Sequence, residues 1–138
     1  MKISEVMVKK PITVKPDVLI YEAAKLMRDK KISSVIVVDK GIVKGILTER
    51  DLIRRVLAEN KDPNKVKIDE VMTSPIVSIS PNKDILDAAQ LMKTKGIRRL
   101  VVMEDEKLVG IITTDDMIKN MKRAVEEFAT MLYLSQHV

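Results

Sequence analysis

The residues best placed to do chemistry are Thr48 with Asp51, three positions on, and the chain repeats them as Thr113 with Asp116. They close two related stretches, Gly45-Ile46-Leu47-Thr48-Glu49-Arg50-Asp51 and Gly110-Ile111-Ile112-Thr113-Thr114-Asp115-Asp116, set 65 residues apart. Each runs from an apolar segment into an amphipathic one, which predicts a strand turning directly into a helix. In that setting Thr and Asp are N-cap and N3 residues, and a cap alone is worth about 1 kcal/mol. A second role is open to the same residues. A helix N-terminus offers free N–H groups and partial positive charge to a phosphate, and a carboxylate one turn in can accept two sugar hydroxyls.

Other chemistry finds little footing. The single histidine is His137, beside the C-terminus, and there is no cysteine, so neither a catalytic base nor a zinc constellation is expected. Ser33-Ser34 has no nearby base to activate it. Glu104-Asp105-Glu106 reads as a solvated acidic turn. No P-loop and no Gly-x-Gly-x-x-Gly is present. The expectation is a protein that is not an enzyme, with no catalytic residue, no metal site and no required cofactor.

Composition narrows the class further. At 138 residues, 46% apolar and 33% charged, the chain is expected to fold as one globular unit. It shows no run of eighteen apolar residues and no leader, so no membrane span is expected and the cytoplasm is the default location. Abundant Lys and Glu without Cys or Trp fit a thermophile. The net charge of +5 invites a nucleic-acid partner. Against that, the basic residues are spread along the chain and Tyr21, Phe128 and Tyr133 are the only aromatics, too few to stack bases. A small anionic ligand accounts for the excess equally well.

The elements that must position the two boxes are themselves duplicated. Lys2-Ile3-Ser4-Glu5-Val6-Met7 answers Lys67-Ile68-Asp69-Glu70-Val71-Met72, Pro16 answers Pro81, and Ala23-Ala24 answers Ala88-Ala89. From Lys2 to Ile53 the offset of 65 gives 19 identities in 52 positions. Two copies are too few for a solenoid, and a closed pair is expected instead. Each copy reads as a short helical turn (Ile3 to Met7; Ile68 to Met72), then a short strand (Ile12 to Val14; Ile76 to Ile79). A helix follows (Leu19 to Lys30; Asp84 to Lys95), then a buried apolar strand through Val35-Ile36-Val37-Val38 or Leu100-Val101-Val102-Met103. A third strand (Val43 to Leu47; Leu108 to Ile112) feeds the closing helix. The expected class is α/β with mixed sheets, as two β-α-β-β-α repeats related by a pseudo-two-fold. The repeats span 1–60 and 66–120, joined by a polar link at 61–65 and followed by a helical extension at 121–138. Along that extension Ile118, Met121, Val125, Phe128 and Leu132 form a heptad seam. Its first two turns are expected to pack on the chain's own core and its later turns on a second copy, giving a homodimer.

The duplicated pattern of Met, Pro, Ala-Ala-x-x-Met, apolar strand and Gly-x-x-Thr-x-x-Asp resembles a tandem pair of CBS domains, the Bateman module, named after cystathionine β-synthase. The resemblance covers about residues 1–120. It implies regulatory binding of adenosine-containing ligands, such as AMP, ADP, ATP or S-adenosylmethionine, in two clefts between the repeats. The motif Asp would hold the ribose hydroxyls, with the Thr near the phosphate. Carried onto this sequence, one site would use Ile46, Thr48 and Asp51 with Val77, Ile97 and Arg98. The other would use Ile111, Thr113 and Asp116 with Thr13, Ser33 and Ser34.

The two sites are expected to differ. Arg50 precedes Asp51, whereas Asp115 precedes Asp116, so a phosphate is favoured at the first and repelled at the second, and the Asp116 site is expected to be the weaker or to take a less anionic ligand. The chain carries no effector domain, so the regulated partner is expected to be a separate protein. The competing expectation is a structural protein that assembles through its last helix with its clefts empty.

Overall fold

The computed structural model describes residues 1–137, with side chains through residue 134. It is a mixed α/β chain with two sheets and five helices. In order these are α1 (Ile3–Val6), β1 (Val8–Lys9), β2 (Thr13–Val14), α2 (Ile20–Lys30), β3 (Ser34–Asp39), β4 (Ile42–Thr48) and α3. Helix α3 begins at Glu49–Asp51 and continues as a π-helical turn over Leu52–Leu57. A 3₁₀ turn at Ile68–Glu70 precedes β5 (Ser78–Ile79), α4 (Ile85–Lys95), β6 (Arg99–Glu104), β7 (Lys107–Thr113) and α5 (Thr114–His137).

One sheet is ordered β2-β3-β4 and the other β1-β7-β6-β5. In each, the short first strand of the repeat lies parallel to the long apolar strand, β2 on β3 and β5 on β6. β3 and β4 pair antiparallel, with a register shift between Val37 and Val38. The unbroken apolar runs are buried as their composition requires: Val35, Ile36, Val37, Leu100, Val101 and Val102 are each at most 2% exposed.

The chain resolves into two compact units. The first gathers Met1–Lys9, Ser78–Glu104 and the chain from Val109 onward; the second gathers Lys10–Val77 and Asp105–Leu108. The leading turns are therefore exchanged: residues 1–9 fold with the body of the second repeat, and residues 66–77 with the body of the first. Matching hydrogen bonds hold both exchanges. In the first unit the N–H of Ile3 donates to Lys83 O at 2.9 Å and that of Ser4 to Pro81 O at 3.0 Å. In the second unit the N–H of Ile68 donates to Val18 O at 2.8 Å and that of Asp69 to Pro16 O at 3.3 Å. The segment 61–65, read from the sequence as the link between halves, lies inside the second unit.

The second unit's core joins Ile20, Ala23, Met27, Val35, Val37, Leu47 and Val56 to Ile68 and Val71 of the exchanged turn. The first unit buries the repeat equivalents Ala88, Met92, Leu100, Val102 and Ile112 along with Ile3 and Val6 of its own exchanged turn. Each repeat thus completes the apolar core of the other, the physical reason that neither is read as a separate body.

One expectation about α5 is corrected. Ile118 and Met121, expected to pack on the core, are 62% and 55% exposed, and Met117 is the buried residue of that first turn. The inward face runs through Met117, Asn120 and Ala124, about one residue out of phase with the heptad seam. The seam faces outward along its whole length in this chain, with Val125 and Phe128 65% and 62% exposed.

Candidate functional site

The two Thr-x-x-Asp turns form as caps. At Thr48 the backbone is extended, and its hydroxyl oxygen accepts the N–H of Asp51 at 3.2 Å. Asp51 Oδ2 in turn accepts the Thr48 N–H at 3.0 Å and the Thr48 hydroxyl at 3.1 Å. Thr113 and Asp116 repeat the arrangement, with corresponding distances of 3.2, 2.9 and 2.9 Å. Both carboxylates are thereby fixed in orientation before any ligand arrives, with Asp51 buried and Asp116 half-buried.

Helix N-termini as phosphate cradles are less available than the sequence reading supposed. The N–H groups of Thr48 and Asp51 are taken by the capping box, and that of Glu49 donates to Ser33 O at 3.1 Å. In the second copy the Thr114 N–H donates to Arg98 O at 3.0 Å. The loop leading into each long strand therefore uses part of the helix dipole's donor set.

The expected site residues fall as follows. Thr13 (exposed, in β2), Ser33, Ser34, Ile46, Thr48, Arg50 (exposed), Asp51 and Val77 belong to the second unit. Ile97, Arg98 (exposed), Ile111, Thr113 and Asp116 belong to the first. Within the second unit, Ser34 stands opposite Thr48 across β3 and β4. Ile97 and Arg98, assigned by the resemblance to the Asp51 site, thus sit in the other unit, as do Thr13, Ser33 and Ser34 relative to Asp116. Beside the Ser33–Glu49 contact lies an open hollow of about 450 Å³, lined by Ala24, Met27, Arg28, Lys31, Ile32, Ser33, Glu49 and Leu52, within the roughly 300–1,000 Å³ usual for small-molecule sites. Its two cations are Arg28, which is ion-paired with Asp29 at 2.8 Å, and Lys31.

Two residues escaped the sequence reading. Thr73 donates its hydroxyl to Asp51 Oδ1 at 3.0 Å. Arg55, presented by the π-helical turn, places Nε 3.8 Å from the same oxygen and donates Nη1 to Val71 O and Met72 O at 3.2 and 3.0 Å. At the offset of 65 their places are taken by Val8 and Asn120, a difference visible in the sequence but silent about its target.

The architecture is thus an α/β chain of two exchanged repeats, each ending a β-strand in an oriented Thr–Asp cap. The CBS domain pattern matches residues 3–58 and 68–123, and the chain belongs to the CBS-domain family, whose domains are in general regulatory. It is 37% identical over 118 residues to the CBS domain-containing protein YhcV of Bacillus subtilis, covering 86% of this chain and 84% of that one. Of two archaeal relatives, from Methanocaldococcus jannaschii and Methanopyrus kandleri, it spans 61% of the length, at 36% identity to each. Among solved structures it matches the CBS domain pair of protein MJ0100 in complex with 5′-methylthioadenosine and S-adenosyl-L-methionine, with TM-score 0.82, 28% identity, and 90% and 98% of the two chains covered. It also matches a hexameric CBS-CP12 protein from bloom-forming cyanobacteria, with TM-score 0.78, 25% identity, and 99% and 88% covered. No helix among the described residues is long and apolar enough to cross a membrane.

Proposed function

We propose that this chain is a non-catalytic, cytoplasmic sensor that binds an adenosine-containing ligand and passes its occupancy to a separate partner protein. The observation that carries the reading is the pair of carboxylates, Asp51 and Asp116, each held in one orientation by two donors from its own threonine. An oriented carboxylate is what a ribose diol needs for two charge-assisted hydrogen bonds. The complex of MJ0100 with two adenosine derivatives supports the ligand class. Ile46 and Ile111 would flank the base, and Thr48, Thr113, Ser33, Ser34, Thr13, Val77, Ile97 and Arg98 would supply the remaining contacts. Arg50, exposed beside Asp51, favours a phosphorylated ligand there, while Asp115 beside Asp116 favours a less anionic one.

A thermal-shift screen against AMP, ADP, ATP, S-adenosylmethionine and NAD, with GTP as control, tests this. The reading expects stabilisation by an adenosine ligand and little by GTP; indifference to every one of them would overturn it.

The outward seam of α5 supports an accompanying assembly. Ile118, Met121, Val125, Phe128 and Leu132 are each at least 55% exposed in the single chain, and burying each would contribute roughly 1.5–3 kcal/mol. A homodimer closed along this seam is the proposed state; the hexameric relative supports assembly in the family without fixing its order.

A further inference from the structure

We infer that the two carboxylates differ in readiness: Thr73 holds Asp51 closed, and the Asp116 half-site takes the first adenosine-containing ligand. The inference rests on the adenosine reading above, and the duplication supplies its internal control. Thr73 and Val8 occupy equivalent places, the first bridged to Ile46 and the second to Ile111, one position after each motif glycine. Asp51 Oδ2 is committed to Thr48, and Oδ1 accepts the Thr73 hydroxyl at 3.0 Å with Arg55 Nε at 3.8 Å. A carboxylate has about four acceptor positions, and three are taken at Asp51, so a ribose diol, which needs two, must displace the hydroxyl of Thr73.

Asp116 commits Oδ2 to Thr113 in the same way. Val8 has no hydroxyl to offer, and Asn120, in the place of Arg55, turns its amide to the Asp116 carbonyl at 2.7 Å. The residues in the places of Thr73 and Arg55 therefore do not hold Asp116 Oδ1 as those two hold Asp51 Oδ1. Exposure agrees with this inventory, because Asp51 is only 7% exposed while Asp116 is half-buried. At Asp116 a ligand hydroxyl replaces water; at Asp51 it exchanges one protein hydrogen bond to a charged group for another, with little net gain. Thr73 is thus a specificity-determining residue for the Asp51 half-site, and occupancy there frees Thr73 from the carboxylate.

Calorimetric titration of the intact chain with 5′-methylthioadenosine tests the order of filling. That probe carries the diol and the base without a phosphate, so Arg50 and Asp115 weigh little on the outcome. The wild type should show a tight first equivalent that Asp51→Asn leaves in place and Asp116→Asn weakens by at least about tenfold. Thr73→Val, which copies the second repeat at an exposed position, should tighten the second equivalent by about tenfold. Loss of the tight equivalent in Asp51→Asn instead, equal losses in both Asn variants, or no response to Thr73→Val would overturn the inference. Absence of binding in wild type and all variants alike, to this probe and to AMP, would overturn the adenosine reading itself.

Discussion

Replacing Gly45 by alanine is expected to unsettle the fold beside Asp51, and the size of the effect follows from two distances. A Cβ at Gly45 would stand 2.6 Å from Met72 Sδ and 2.8 Å from the carbonyl oxygen of Thr73. The sulfur ends a flexible side chain and can swing away. The carbonyl cannot, because it accepts the Ile46 N–H at 3.0 Å while the Thr73 N–H donates back to Ile46 O at 2.8 Å. Adding the methyl therefore strains two backbone hydrogen bonds, each worth about 1 kcal/mol, on top of an overpacking cost of roughly 1–3 kcal/mol. The expected loss is about 3–5 kcal/mol, which for a chain of this size lowers the melting temperature by roughly 9–20 °C. Gly110→Ala meets Met7 Sδ at 2.7 Å and Val8 O at 2.8 Å and should cost the same. Reversible thermal unfolding followed by circular dichroism reads both. A Gly45→Ala protein melting within about 2 °C of wild type would refute the view that close backbone approach sets the motif glycine.

Three further outcomes follow from the same geometry. Helix α2 ends on Lys31 at φ 55, ψ 46, whereas α4 ends on Gly96 at φ 66, ψ 36; Lys31→Gly should therefore stabilise by about 0.5–1 kcal/mol in denaturant melts, the cost of a left-handed non-glycine residue being relieved. The Leu86 N–H and the N-terminal ammonium hold the Asp84 carboxyl below the usual carboxylate range. Its contribution to stability is thus complete above the ordinary carboxylate pKa and is lost as pH falls through the depressed one, so the gap between wild type and Asp84→Asn should narrow in melts taken below about pH 4. Phe128→Glu, on the exposed seam of α5, should shift the particle from dimer to monomer by light scattering at micromolar concentration; a wild type already monomeric there would remove the seam as an interface.

Much of this fold is legible in local chemistry. The offset of 65 exposes the duplication, unbroken β-branched runs mark the buried β3 and β6, and Asp84 caps α4 as its spacing with Asp87 requires. What local chemistry does not carry is partnership at a distance. The Ile3 and Ile68 turns carry no sign in their own residues that each completes the other repeat's core, because their apolar faces fit either. Strand β1 is two residues long, too short for a periodic signal, and exists through its pairing with β7. The heptad seam of α5 shares its period with the inward face but not its phase, since Ile118 and Met117 are neighbours and only packing decides which turns inward. At the site, Thr48, Asp51, Thr113 and Asp116 announce themselves through capping chemistry. Thr73 and Arg55 do not, because the Thr73 hydrogen bond to Asp51 spans 22 residues, and the Arg55 ion pair with Asp51 is presented by a π-helical turn and anchored by hydrogen bonds to the distant Val71 and Met72 carbonyls.

The central claim is that Asp51 and Asp116 hold the hydroxyls of a ribose, and melting the protein against AMP and 2′-deoxy-AMP tests it most directly. At about 100 times its dissociation constant a ligand stabilises by roughly 2.7 kcal/mol, a rise on the order of 6–10 °C for a chain of this length. The wild type should show that rise with AMP and a clearly smaller one with the deoxy compound, and an Asp51→Ala, Asp116→Ala double variant that still folds should show neither. Equal shifts by AMP and 2′-deoxy-AMP, or a double variant that responds to AMP as the wild type does, would contradict the claim and return both boxes to the role of helix caps.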